Sequence, residues 1–313
     1  MNDLFRLPLG DVVETIVRFL IDALGWFFDG ISAVFDSLYG GLDWVLSTPP
    51  FWVIGIALAA LAYLAKGWGL AIGTVLGVLL IVSVNQWGNA MDSLALVIIA
   101  SAVAVAIALP LGIWAARNDT VSQILRPILD FLQTMPAFVY LIPALIMFGV
   151  GVVPGIVATI VFALAPGVRL TELGIRGVDA EVVEAGHAFG ATPGRILRQI
   201  QLPLALPSIM AGVNQVIMLS LSMVVIAGMV GAGGLGGQVV ASLSRIDISL
   251  GVEAGVSVVI LAMILDRLTS GLATRGGRAS RRSASRADSA KKAASAGEAV
   301  AVGKARPAAG GFS

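Results

Sequence analysis

Residues 93–116, SLALVIIASAVAVAIALPLGIWAA, carry no charged side chain. As a helix rising 1.5 Å per residue, such a run crosses a ~30 Å hydrocarbon layer, which needs about 20 apolar residues. Working outward from it, further apolar runs lie near 51–66, 68–84, 131–150, 152–169, 207–231 and 250–270. The expected fold is all-α: a polytopic transmembrane helical bundle of about seven spans. A β-barrel would need alternating strands of about ten residues, and none is present. A chain that is 58% hydrophobic and 12% charged is too apolar for an ordinary soluble domain.

The charges set the expected orientation. With the N-terminus outside and the C-terminus cytoplasmic, Lys66, Arg117, Arg126, Arg169, Arg176, Arg195, Arg198 and the basic tail all lie inside. Arg6, Arg18 and Arg245 fall outside, so the balance obeys the positive-inside rule. No basic segment leading into an apolar stretch and a cleavage site opens the chain, so no removable signal peptide is expected. The absence of cysteine excludes disulfides and thiolate metal sites.

Four regions follow. Residues 1–48 read as an extracytoplasmic amphipathic region, with Asp22, Asp29, Asp36 and Asp43 one heptad apart and aromatic residues between them. Gly25, Gly30 and Gly40-Gly41 are expected to break it into pieces. Residues 49–89 hold two peripheral spans, with Gly69, Gly73 and Gly77 forming a smooth contact face. Residues 90–275 form the core, with five spans, helices interrupted at Pro110, Pro136, Pro143, Pro154 and Pro166, and a cytoplasmic loop over 170–206. Residues 276–313 are rich in Ala, Ser, Gly, Arg and Lys and read as a disordered basic cytoplasmic tail that meets anionic lipid; nucleic-acid binding is not expected.

The polar loop between the fifth and sixth runs reads as helix–turn–helix. Asp179 caps a first helix through Ala188, and Gly190 closes it. Thr192-Pro193 then starts a second helix that places Ile196, Leu197 and Ile200 on one side. Small residues at Ala185, Gly186, Ala188 and Gly190 permit close approach to another backbone. Docking of a soluble partner and a partnerless hairpin both account for the pattern.

The spacing Glu184-Ala185-Gly186, Gly190, Ile200-x-Leu202-Pro203 resembles the cytoplasmic loop of permease subunits in binding-protein-dependent ABC importers. Gly186 stands where that family usually has Ala. Gln133-Thr134-Met135-Pro136-Ala137-Phe138-Val139-Tyr140-Leu141-Ile142-Pro143 and Met229–Gly236 resemble segments of the glycine betaine/proline type, and the likeness spans roughly residues 10–270. It implies an inner-membrane permease for compatible solutes, acting as a homodimer with two cytoplasmic ATPase subunits and an extracytoplasmic binding protein. It also makes Glu184, Ala185, Gly186, Gly190, Ile200, Leu202 and Pro203 the ATPase-coupling loop. The chain is then not an enzyme and binds no cofactor, with ATP and Mg on the partner subunit.

The chain itself has no Gly-x-x-x-x-Gly-Lys-Ser/Thr loop, so ATP must be hydrolysed elsewhere. Gly231-x-Gly233-x-x-Gly236 spells a dinucleotide fingerprint but follows an apolar helix rather than a strand, so it reads as a packed or flexible helix end. His187 has no metal-ligand partner at helical spacing. Residues 131–168 and 199–244 contain no Asp, Glu, Lys, Arg or His, which disfavours ion-coupled transport and favours a net-neutral polar solute. Path-lining candidates are Gln133, Thr134, Met135, Pro136, Phe138, Tyr140, Asn214, Gln215, Met218 and Ser222; interhelical hydrogen bonding and core packing explain them equally well. The rival readings are an ABC permease for another small solute such as an amino acid, an ATP-independent secondary transporter or osmotically gated channel, and a membrane scaffold.

Overall fold

The computed structural model describes residues 9–271; the basic tail read over 276–313 lies outside the described residues. Eleven helices account for them: α1 (Leu9–Ser47), α2 (Phe51–Lys66), α3 (Trp68–Ser83), α4 (Trp87–Arg117), α5 (Asp119–Thr134), α6 (Ala137–Phe148), α7 (Val152–Arg176), α8 (Ala180–Ala188), α9 (Pro193–Gly228), α10 (Gly234–Arg245) and α11 (Ile248–Gly271). Every apolar run read from the sequence is helical, and no strand occurs among the described residues.

The crossings differ from seven straight rods. Only α4, α7, α9 and α11 are each long and apolar enough to span a bilayer. Counting two bent pairs as one span each, Ile21–Ser47 with α2 at 99° and α5 with α6 at 98°, raises the number to six. At 16 residues, α3 reaches only ~24 Å.

Residues 131–150 are therefore an elbow, not one rod. Its cause is local: a residue before proline avoids the helical region, and Met135 sits at φ −73°, ψ 136°. Pro136 is the one proline of the five that breaks a helix. Pro110, Pro143 and Pro166 lie inside continuous helices, and Pro154 falls in the first turn of α7, where no intrahelical N–H partner is required.

The N-terminal region also holds together better than its glycines suggest. α1 kinks at the non-helical Leu24, beside Gly25 where a break was expected, but it passes through Gly30, Gly40 and Gly41 unbroken. A helical glycine costs only ~1 kcal/mol, which tertiary packing offsets. Phe28 is buried edge-on against Phe148 at 5.6 Å, and Phe35, Tyr39 and Leu42 pack on the central core. Asp22, Asp29 and Asp36 stay exposed, as a heptad of acids on one face requires.

That core joins α4 (Leu96, Val97, Ala100, Ala104), α7 (Ile156, Ile160, Ala163) and α9 (Val216, Leu221, Val224, Ala227). Small residues bring the axes close: a Cβ on Gly167 would lie 2.8 Å from that of Ala108 and 3.0 Å from Val216. The tightest crossing lies between the end of α9 and the start of α10. A Cβ on Gly228 would meet the Gly236 carbonyl carbon at 2.3 Å, and one on Gly236 would meet the Val224 carbonyl oxygen at 2.1 Å. Gly228 and Gly236 thus form a backbone-on-backbone contact, while Gly231, Gly233 and Gly234 take positive φ in the turn between them. Of the Gly69, Gly73 and Gly77 face, only Gly77 meets a neighbour, the Ile260 side chain of α11; the other two face open space.

Candidate functional site

The helix–turn–helix over 179–203 forms as its residues dictate. The Asp179 carboxylate accepts from the Glu181 N–H at 3.0 Å and caps α8. At the other end the Ala191 N–H reaches the Gly186 carbonyl (3.1 Å) and the Gly190 N–H reaches His187 (2.9 Å), the paired bonds of a Schellman stop. Gly190 supplies the left-handed conformation this requires, at φ +73°. Thr192 precedes Pro193 at the first turn of α9, without a side-chain cap bond. Pro203 brings no N–H to the helix, and the preceding stretch Leu197–Gln201 widens into a π-turn.

The motif residues divide between two jobs. Gly186 is buried, and a Cβ there would lie 2.8 Å from the tip of Ile200 and 3.3 Å from Ile196, so glycine lets α8 lie directly on α9. Leu202 packs with Ile175, Leu197, Ala205 and Ile209, rooting the hairpin in the bundle. Glu184, Ala185, Gly190 and Pro203 are exposed. The sequence reading missed Phe189 as a surface feature, although it is 90% exposed, the highest value among the large apolar side chains described. Val182, also exposed, Ala185 and Phe189 stand at i, i+3 and i+7 and share one face of α8. The signal was available in the sequence: an aromatic ring at a helix end, immediately before the Gly190 stop.

The path candidates fall into two groups that share no described cavity. Gln133, Thr134, Pro136 and Phe138 are exposed at the α5–α6 elbow, with Met135 half-buried between them. The Tyr140 hydroxyl donates to the Leu132 carbonyl across the bend, and its ring stands 6.4 Å from that of Phe162. On α9, Ala211, Gln215, Met218, Ser222 and Met229 form one exposed stripe at helical spacing. The outward faces of α2 and α3 carry Ile, Leu, Val and Trp instead. Asn214 turns from the stripe toward α11, where its amide N–H donates to Asp266 at 3.3 Å and its carbonyl accepts from Thr269 at 2.6 Å. Beside it, a groove of about 330 Å³ between α9 and α11 is lined by Met218, Ser222, Ala262, Asp266 and Arg267. The charge-free stretches are thus bordered by acids from outside them: Asp266 here, and the buried Glu172 on α7. No cluster of three or more His, Cys, Asp or Glu with metal-binding geometry occurs among the described residues.

Comparison with known proteins agrees with this architecture. Residues 108–275 match the family described as the binding-protein-dependent transport system inner membrane component. The chain is 44% identical to the glycine betaine transport system permease protein OpuAB of Bacillus subtilis, over 88% of this chain and 98% of that one. It is likewise 44% identical to the glycine betaine/proline betaine permease ProW of Escherichia coli, over 90% and 78% of the two chains. Among solved structures, the inward-facing methionine ABC transporter MetNI superposes with a TM-score of 0.53 over 61% of this chain and 92% of that one. At 23% identity that likeness speaks to the fold alone. With a multi-pass bundle, a capped hairpin between two of its spanning helices, and relatives matched over most of their length, this chain belongs to the inner-membrane permease components of binding-protein-dependent transport systems.

Proposed function

We propose that this chain forms the translocation path of an ATP-driven importer for compatible solutes of the glycine betaine class, and that it acts as a homodimer. Two ATPase subunits dock on the α8 hairpins, and a solute-loaded binding protein delivers from outside. The N-terminus lies outside and the C-terminus inside, which keeps the hairpin within reach of ATP. ATP and Mg belong to the partner, and no cofactor is held by this chain. The observation that carries the reading is the hairpin itself: a capped helix offering Val182, Ala185 and Phe189 to water, rooted in the bundle through Leu202. An amphipathic helix with an apolar anchor is what a groove on a soluble partner takes up.

The solute class draws support from the names of the relatives and from the polar groups in reach. A net-neutral zwitterion suits charge-free stretches in which ion-coupling groups are missing. Asp266 and Arg267 give the α9–α11 groove both signs of charge side by side. The exposed Gln215–Ser222 stripe faces the partner copy or the solute path, because polar groups directed at lipid would be costly.

The deciding experiment places the chain in liposomes with its ATPase and binding protein and follows radiolabelled glycine betaine. Uptake is expected to require ATP and the binding protein. Uptake driven by an ion gradient in the absence of ATP would overturn the proposal, and preference for an amino acid over betaine would reassign the solute.

A further prediction concerns Gly190. Replacing it by leucine meets no neighbour within 4 Å but places a side chain at φ +73°, a strain of about 1–2 kcal/mol at the hairpin stop. Membrane abundance should stay normal while ATP-coupled uptake falls several-fold. Equal uptake per molecule would count against docking through this helix.

A further inference from the structure

A seam of charge joins α5 to α7. Glu172 is buried on α7, with its side chain 8% exposed, and one carboxylate oxygen takes three donors. The Ser122 hydroxyl donates to it at 2.6 Å, Arg126 at 3.2 Å and Arg176, one turn along α7, at 3.0 Å. Arg176 also pairs with Asp119 at 2.7 Å and donates to the Ala115 carbonyl of α4 at 2.7 Å. Arg169 pairs with Asp130 at the far end. The α5 members stand at 119, 122, 126 and 130, the i, i+3, i+7, i+11 spacing of one helical face.

α5 buries Ser122 and Leu129 alone; Leu129 and Leu125 pack with Ala108, Ala165 and Val168, and the seam adds directed bonds to that apolar contact. A carboxylate that sits buried with its donors in place holds its geometry tightly, because breaking the set strands a charge. Its location matters more than its strength. At one end, Arg176 is the last residue of α7, and only Gly177, Val178 and Asp179 separate it from the α8 hairpin. Val178 packs in the cluster that roots the hairpin, with Ile175 and Leu197. At the other end, α5 runs directly into the Thr134–Pro136 elbow.

We infer that the α5–α7 seam carries movement of the α8 hairpin to the α5–α6 elbow, with Glu172 as its positioning residue. This rests on the coupling role proposed above for the hairpin. A plain hydrophobic seam would let α5 slide along α7. A set of directed bonds converging on one oxygen makes the two helices move as one body, and it can break only as a unit.

The native chain has no cysteine, so single cysteines can be spin-labelled without background. One label goes at exposed Ala180 on the hairpin, off the Val182–Phe189 face, and the other at exposed Gln133 by the elbow. Both are read in the full permease–ATPase complex in sealed proteoliposomes, with and without trapped ATP. In the unaltered protein both labels respond. In Glu172→Gln the Ala180 response is expected to persist, while the Gln133 response and uptake fall about tenfold, within the usual range of coupling between sites. An unchanged Gln133 response would overturn the inference, and so would loss of both responses, because rupture of a seam downstream of the hairpin must spare the Ala180 label. Asp130→Arg and Arg169→Asp should each depress the Gln133 response and the double swap should restore it; a swap without rescue also counts against the seam. An ATP-silent Ala180 label in the unaltered protein would remove the coupling role itself, and this inference with it.

Discussion

Phe189→Asp is expected to abolish ATP-driven uptake while the protein reaches the membrane in normal amount. The ring is 90% exposed, so its removal takes little packing from its own chain and leaves the fold intact. Burying such a side chain in a partner's groove is worth about 2–3 kcal/mol. Truncation to alanine should therefore weaken the permease–ATPase complex by roughly thirtyfold or more, the behaviour of an interface anchor. Aspartate goes further, because docking would then bury an unpaired charge. Co-purification of the ATPase, titrated against the unaltered permease, reads the affinity directly. Undiminished co-purification of the aspartate variant would show that the α8 face does not dock.

The second large effect is Gly236→Ala. The added methyl would stand 2.1 Å from the Val224 carbonyl oxygen and 3.1 Å from the Val225 Cα, and backbone cannot rotate aside as a flexible side chain can. Overpacking ordinarily costs 1–3 kcal/mol, and a backbone clash belongs at or above the upper end, ~3 kcal/mol. For a chain of this size that corresponds to a midpoint lower by about 5 °C. The neighbouring Gly237 provides the control, because a Cβ there meets nothing within 4 Å. Gly237→Ala, inside α10, should be neutral or stabilising by up to ~1 kcal/mol. Thermal unfolding of both variants in detergent reads the difference. Similar midpoints would mean that α9 and α10 do not cross where these glycines place them. The dinucleotide-like spelling at 231–236 has a structural reading: Gly236 serves the helix crossing, and Gly231 and Gly233 supply the positive φ of the turn before α10.

Much of the architecture was legible in one dimension. The apolar runs are long enough, and free enough of charge, that helices in a bilayer are the economical outcome for each of them. The hairpin was legible too, because Asp179, Gly190 and Thr192-Pro193 act on backbone within a few residues of themselves. Local punctuation with local causes survives translation into structure. The errors came where a local rule met a distant neighbour. Gly30 and Gly40-Gly41 should weaken a lone helix, yet α1 runs through them because Phe28, Phe35 and Tyr39 find a core to pack on. Four of five prolines leave their helices unbroken; only Pro136, with Met135 extended before it, turns the chain by 98°.

The division has a physical reason. Hydrophobic length, capping chemistry and the backbone limits of proline and glycine are properties of residues and their near neighbours, so the sequence by itself determined the helical membrane class, the hairpin and its stops. Which face of each helix is covered depends on surfaces brought together from far along the chain. Only the tertiary structure decided that Gly186 turns inward onto Ile200 while Phe189 turns out, that Asn214 bonds to α11, and that Glu172 gathers Ser122, Arg126 and Arg176 around one oxygen. Burial and pairing are set in three dimensions, and a linear spacing carries no record of them.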